Sequence, residues 1–227
     1  MPSGHAGRRL ILFVCLANVC RSPVMAFLTA HRLEEQGLGS SFVAECAGTK
    51  AIDGDRMCAV AAAHVELYPS GAEFVKSHRA RTVSRELVDA AGLILVASSR
   101  ERAAVAGPWQ EARPRTFTMV EAAQLAQAVA EGSTSSQLAR RPMTLESLGA
   151  AMGDLRGSLR QGNVGTPRRA LLSRRRQRSL DVPDVHQGEV RSHAPVIESL
   201  ERASSHLVHA IGRLAEMNPG PNVGDYS

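Results

Sequence analysis

The 227-residue sequence predicts an α/β domain built on a mostly parallel sheet. Three observations predict it. An unbroken apolar run near the start has the character of a strand buried on both faces. Further short apolar runs alternate with segments of helical periodicity, and a long amphipathic stretch closes the series.

The first run, "RLILFV" (9–14), is the buried strand. "SPVMAFLTAHRLEEQ" (22–36) follows as a helix, since its apolar residues recur at helical spacing, Ser22 and Pro23 suit its first turn, and Gly37 stops it. "SFVAE" (41–45) is a second strand, and 56–67 a helix ended by Tyr68-Pro69-Ser70-Gly71. A short helix at 84–91 leads into the strand "GLILVA" (92–97), followed by a helix at 98–107. "RTFTM" (115–119) is the fourth strand, with a helix at 120–131 behind it. The stretch 194–217 reads as one long amphipathic helix. One domain over 9–217 is expected, with a flexible start at 1–8 and a disordered tail at 218–227.

The span 131–180 breaks this rhythm. It opens Gly-Ser-Thr-Ser-Ser, has a helix-like patch at 144–160, and ends in an arginine-rich stretch bounded by Arg168 and Arg178. Ten arginines against Glu131, Glu146 and Asp154 give it 10 − 3 = +7, so the rest of the chain carries 5 − 7 = −2. The basicity thus belongs to an insertion before the last helix. A solvated face is the first reading of it, and docking of nucleic acid or an acidic partner is not favoured.

Four cysteines (15, 20, 46 and 58) do not make a disulfide framework and read as reduced thiols. No segment approaches the length that spans a bilayer, and the apolar stretch near the start is too short and too broken to read as a signal peptide, so a cytoplasmic protein is expected. Aromatics are only 4% of the chain, which leaves the core to Leu, Val, Ile and Ala.

Chemistry concentrates in "CLANVCRSP" (15–23). Ligands of an open parallel sheet sit at the C-terminal ends of its strands, where backbone N–H groups and a helix N-terminus favour anions. A thiol at that mouth, Cys15, is expected to ionise readily. Arg21 offers a planar fork suited to two phosphoryl oxygens, and the Ser22 hydroxyl can steady the sulfur. The loop therefore reads as a nucleophile in a phosphate cradle, suited to attack of sulfur on phosphorus without metal or other cofactor. A proton donor for the leaving oxygen is offered by "SLDVPDVHQG" (179–188), through Asp181 or Asp184. Cys58, on an Ala-rich helix, reads as core. His206 and His209 have no third partner, and no metal site is predicted.

"CLANVCRSP", "ECAGT", "KSHRARTVSRELVDAAGLILVA" and "DVPDVHQG", in this order, resemble the low-molecular-weight protein tyrosine phosphatases. The resemblance covers roughly 9–119 and 181–214. It implies a four-stranded parallel sheet flanked by helices, a Rossmann-type sandwich, and hydrolysis of phosphomonoesters, foremost protein phosphotyrosine. It makes Cys15 the nucleophile, Arg21 the phosphate clamp, Ser22 the thiolate partner and Asp184 the general acid. Leu16, Ala17, Asn18, Val19 and Cys20 complete the substrate-binding loop, with Asn18 pinning it and His78 supporting it. Cys20 matches a loop cysteine that forms a reversible disulfide with the nucleophile.

Departures from the pattern bear on specificity. Ala17 stands where many members carry Gly, which disfavours a left-handed backbone there. Cys46 replaces a serine with a weaker hydrogen-bonding group. Val185, His186 and Gln187 replace the proline and aromatic residues of the acid loop, and Ile52 and Asp53 offer no aromatic wall. Arsenate reduction is a rival, but no cysteine follows Cys58 to relay a disulfide. Phosphoarginine hydrolysis is another, in which Val19 stands where such enzymes carry threonine. A catalytically weak phosphate-binding module is the third.

Overall fold

The structure, a computed structural model, describes residues 9–132, 144–156, 180–188 and 190–217. The expected flexible start, the disordered tail and the stretch 168–178 lie outside the described residues. Elements run in the order β1 (Arg9–Cys15), α1 (Arg21–Glu35), β2 (Phe42–Gly48), α2 (Ala59–Val65), α3 (Gly71–Ser77), α4 (Arg85–Ala90), β3 (Ala91–Val96) and α5 (Ser99–Ala106). A 3-10 helix (Gln110–Arg115), β4 (Thr116–Thr118), α6 (Met119–Gly132), α7 (Leu145–Leu155) and α8 (Ala194–Met217) complete them.

The four strands form one parallel sheet, as predicted, and the structure gives their order as β2-β1-β3-β4. β1 is central, and its apolar run divides between the two faces because successive side chains alternate. Ile11, Phe13 and Cys15 enter the larger core beneath α1, α6, α7 and α8, whereas Leu10, Leu12 and Val14 enter the smaller one with Val88, Val105 and Ala112. Burying a side chain of this kind contributes about 1.5–3 kcal/mol relative to exposure, so the doubly covered strand is a firm base for the loop at its C-terminal end.

Two short elements escape the periodicity reading. Helix α3 has seven residues, too few for a pattern, and follows a turn in which Ser70 takes φ +61°. A Cβ on Gly71 would lie 1.9 Å from the Val65 carbonyl oxygen, so only glycine fits there. Phe74 holds α3 by packing on Phe27, ring centres 5.2 Å apart. The 3-10 helix contains Pro114, which suppresses a helical reading.

The span expected as an insertion contributes a core helix. Leu145, Leu148 and Met152 of α7 are buried in the larger core, and Gly92 lets α7 approach β3, since a Cβ there would meet Leu145 at 2.9 Å. Beyond it, Arg156 donates to the buried Glu121 at 3.0 Å and lies over the Phe117 ring at 4.1 Å. Farther along, Val182 N–H donates to the Ala97 carbonyl at 2.8 Å and Thr118 Oγ1 to the Leu180 carbonyl at 2.7 Å. These bonds fasten 180–184 across the C-terminal ends of β3 and β4. Helix α8 then packs on α1 and α6, with Arg32 bonded to Ser204 and Glu201. Among the described residues no helix is long and apolar enough to cross a membrane.

If α7 is core, Leu148→Ala lowers unfolding free energy in urea by about 2–5 kcal/mol, as for a buried large-to-small change. A loss under about 0.5 kcal/mol would mark α7 as surface decoration.

Candidate active site

β1 ends at Cys15, opposite Gly48 of β2, and the chain turns through Leu16–Cys20 into α1. Gly48 is needed for closeness. A Cβ there would lie 2.7 Å from the Leu16 carbonyl oxygen and 2.9 Å from the Asn18 nitrogen. The loop's carbonyls are taken from outside. Thr49 N–H donates to Cys15 at 2.9 Å, Lys50 to Leu16 at 2.8 Å, Cys58 to Val19 at 2.8 Å, and His78 Nε2 to Asn18 at 2.9 Å. Because a trans peptide sets C=O and the next N–H in opposite directions, outward carbonyls turn the amides of Leu16, Ala17, Val19 and Cys20 inward. That arrangement is an anion nest, continued by α1, whose first turn has no side-chain cap.

Asn18 is the keystone. It alone in the loop takes a left-handed backbone (φ +57°), a conformation that asparagine tolerates. Ala17, which disfavours a left-handed backbone, does not adopt one, since the turn is made one residue later. Asn18 N–H donates to Cys15 Sγ at 3.3 Å, its Nδ2 to Ser22 Oγ at 2.9 Å, and its Oδ1 accepts from Arg81 N–H at 3.0 Å.

Ser22 Oγ lies 3.0 Å from Cys15 Sγ and 3.2 Å from the Ala47 carbonyl oxygen. The hydroxyl has one proton and two acceptors. With a thiol, Cys15 donates to Ser22 and Ser22 to Ala47; with a thiolate, the Ser22 proton turns to the sulfur. His78 donates through Nε2, which leaves Nδ1 to accept from the Cys46 thiol at 4.0 Å. Burial pushes the Cys46 thiol up to about 11 against the opposing Asn18 bond, so the thiol keeps the proton it donates. Burial likewise draws His78 below its ordinary value, with Arg79 and Arg81 adding and the Asn18 carbonyl opposing.

Arg21 and Asp184, 163 residues apart, form a buried ion pair. Arg21 also donates to the Val182 carbonyl at 3.1 Å, and Asp184 Oδ1 accepts from His186 N–H at 2.9 Å. Cys15, Arg21 and Asp184 are 2%, 4% and 7% exposed, so the acid loop closes over the cradle. Asp181 is engaged elsewhere, accepting from Ser99 N–H at 2.9 Å and Ser99 Oγ at 2.7 Å at the start of α5.

The structure therefore brings Cys15, Asn18, Arg21, Ser22, His78 and Asp184 together. It adds Glu101, 2% exposed and 3.8 Å from the Arg21 guanidinium, which the sequence hides as an ordinary first-turn acid of α5. Ile52 is 70% exposed, and Asp53 accepts from Thr82, so neither forms a ring-stacking wall. Cys20 and Cys58 belong to a second group. Cys58 packs half-buried against the larger core and also caps α2, accepting from Ala61 N–H at 3.4 Å, and its sulfur lies 3.7 Å from His193 Nε2. The bond from Cys20 draws Cys58 down to about 5 against burial, with Ala61, His186 and His193 adding; the same bond, with burial, pushes Cys20 up. His206 and His209 are exposed on α8.

Residues 10–131 match the sequence profile of the family described as low molecular weight phosphotyrosine protein phosphatase. Over 109 residues the chain is 27% identical to the low molecular weight protein-tyrosine-phosphatase Ptp of Acinetobacter johnsonii, covering 48% of this chain and 70% of that protein. It is 31% identical over 109 residues to a protein-arginine-phosphatase of Geobacillus stearothermophilus, covering 48% and 68%. Among solved structures, the tyrosine phosphatase Wzb from Escherichia coli K30 in complex with phosphate superposes with a TM-score of 0.53 at 16% identity, over 89% of this chain and 97% of that one. A protein tyrosine phosphatase from Entamoeba histolytica gives 0.54 at 15% identity, over 89% and 96%. At such identities the likeness is one of fold, and the profile carries the kinship. This chain belongs to the low molecular weight phosphotyrosine protein phosphatase family.

Proposed function

We propose that the chain is a cysteine-dependent phosphatase that hydrolyses phosphomonoesters, with phosphotyrosine in proteins as its substrate class. One observation carries the reading: the Cys15 sulfur and the Arg21 guanidinium belong to a single loop of inward amides, and Asp184 meets Arg21.

A bound phosphoryl group takes the loop amides and draws Arg21 away from Asp184. The carboxyl, released from the guanidinium, then faces the leaving oxygen of the phosphoryl group. The Cys15 thiolate attacks phosphorus, the bond to the leaving oxygen breaks, and Asp184 gives that oxygen its proton. In the second step the Asp184 carboxylate takes a proton from water, the water oxygen bonds phosphorus, and the P–S bond breaks. Phosphate leaves, and the Ser22 proton and Asn18 N–H steady the released thiolate. The amides and Arg21 hold the developing charge, so this chemistry needs no metal.

The family and the Acinetobacter relative support phosphotyrosine. Phosphoarginine is the second reading, favoured by the 31% identity with the Geobacillus protein. Val19 speaks against it, because an aliphatic side chain there cannot hydrogen-bond. The four free thiols fit a reducing compartment, and we assign the cytoplasm as the place of action.

Against a phosphotyrosine peptide, Cys15→Ser abolishes phosphate release. Asp184→Ala slows it by about 10²–10⁴-fold, with a smaller effect when the leaving group needs no proton. Asp181→Ala leaves the rate within a few-fold. A reversal between the two aspartates moves the acid role to Asp181, faster turnover of a phosphoarginine peptide establishes the second reading, and an inert wild type makes the chain a binding module.

The His78 geometry generates a pH prediction. Its folded-state value lies below the unfolded one of about 6.5, so above that pH both states are neutral and its contribution is complete. As pH falls below it, the unfolded chain takes up the proton first and stability is lost. Between pH 7 and pH 5, His78→Gln shows a smaller fall in Tm than wild type, because the amide donates to Asn18 without titrating. An unchanged fall would show that His78 is not buried in its neutral form.

A further inference from the structure

Beside the cradle lie four donor side chains that phosphoryl transfer leaves unused. The sulfurs of Cys20 and Cys58 and one ring nitrogen each of His186 and His193 lie within 4.8 Å of one another. They come from four separate segments: the end of the cradle loop, the cap of α2, the acid loop, and the residues just before α8. Nothing in the sequence announces this group, since Cys58 comes 38 positions after Cys20, and His186 and His193 come 128 and 135 positions after Cys58. Packing alone does not explain it, because small apolar residues would fill the same space without drawing the Cys20 thiol, and in part Cys58 and His193, out of water.

We propose that Cys20, Cys58, His186 and His193 form a Cys2His2 zinc site that ties the acid loop to the phosphate cradle. Two thiolates and two imidazoles are a borderline-soft, tetrahedral donor set that suits Zn²⁺. With Zn–S near ~2.3 Å and Zn–N near ~2.05 Å, a tetrahedron places S and N about 3.6 Å apart. Cys58 Sγ and His193 Nε2 already lie at 3.7 Å, and the two imidazoles stand edge to face with centres 5.2 Å apart. The remaining separations are at most 4.8 Å, against about 3.4–3.8 Å between donors in such a tetrahedron. Cys20 is buried, Cys58 and His193 are half-buried and His186 is exposed, which gives the ion a route in from solvent. Binding forms two Zn–S and two Zn–N bonds with both sulfurs as thiolates, and any proton a thiol still carries passes to water.

Four protein ligands make the site closed, hence structural rather than catalytic. Its consequence lies in what it connects. Cys20 immediately precedes Arg21, and His186 is two residues beyond Asp184. Zinc therefore cross-links the clamp and the acid across the mouth of the cradle, in a loop where Val185, His186 and Gln187 stand in place of stiffening proline and aromatic residues. It also engages the Cys20 sulfur, which then cannot form a disulfide with Cys15.

Metal binding is read directly, independently of turnover. Purified under reducing conditions with Zn²⁺ supplied and excess removed, the wild-type chain retains one Zn²⁺ by elemental analysis. Cobalt titrated into the metal-free chain gives the intense visible bands of tetrahedral Co²⁺ with a thiolate charge-transfer band, and Zn²⁺ bleaches them. Cys58→Ser and His193→Ala, both outside the phosphoryl-transfer machinery, lose the retained zinc, whereas His206→Ala, at an exposed position of α8, keeps it. Zinc raises the Tm of wild type and not of His193→Ala, which covers the case that Cys58→Ser fails to fold. A pale octahedral cobalt spectrum, zinc retention unchanged in both ligand variants, or a Cys20–Cys58 disulfide in the reduced preparation overturns the proposal.

Discussion

The ion pair between Arg21 and Asp184 joins the two ends of the fold into one site. Arg21 is delivered by the first βα turn and Asp184 by the segment leading to the last helix, and both are buried. A buried pair of this kind is weak evidence for stability, because desolvation consumes most of the Coulombic gain. Its value is positional. The guanidinium also takes the Val182 carbonyl and lies near Glu101, so its fork is aimed before any ligand arrives. In the proposed mechanism a phosphoryl group entering the cradle competes for that guanidinium, and the competition frees Asp184 to act as the acid.

The cradle itself depends on groups that never touch substrate. Asn18 carries the turn, and its side chain, its carbonyl and its amide are each bonded. Gly48 gives the loop room, and His78 passes the constraint on to Cys46. A thiol in the Cys46 position is a poorer donor than a hydroxyl, but its raised proton affinity keeps it a donor at neutral pH. The substitution thus weakens one link without breaking the chain of hydrogen bonds.

The sheet and the nucleophile loop were legible because their signals are local. "RLILFV" is apolar without interruption because both faces of β1 are covered, and Cys15, Arg21 and Ser22 lie within eight residues. The residues alone left Asp181 and Asp184 both open as the acid and the resemblance pointed to Asp184; the coordinates add that Asp184 meets Arg21 whereas Asp181 is engaged by Ser99. Helix α7 was legible as the helix-like patch at 144–160, but its place in the core was not, because its polar, arginine-rich neighbourhood read as an insertion. Glu101 and the Cys20–Cys58–His186–His193 group were invisible for a different reason. Their meaning comes from tertiary convergence, and no spacing along the chain encodes it.

The central claim is that phosphate passes through the sulfur of Cys15. On the proposed mechanism Asp184→Ala keeps the nucleophile and removes the group that activates water, so the covalent intermediate should accumulate. Mixing this variant with an aryl phosphate bearing a good leaving group, quenching within the first turnover and mapping peptides by mass spectrometry tests it most directly. Transfer through Cys15 predicts one phosphoryl group, on the peptide that carries Cys15 and bonded to sulfur. A phosphoryl group on another residue, or release of the leaving group with no labelled protein at any quench time, would contradict it.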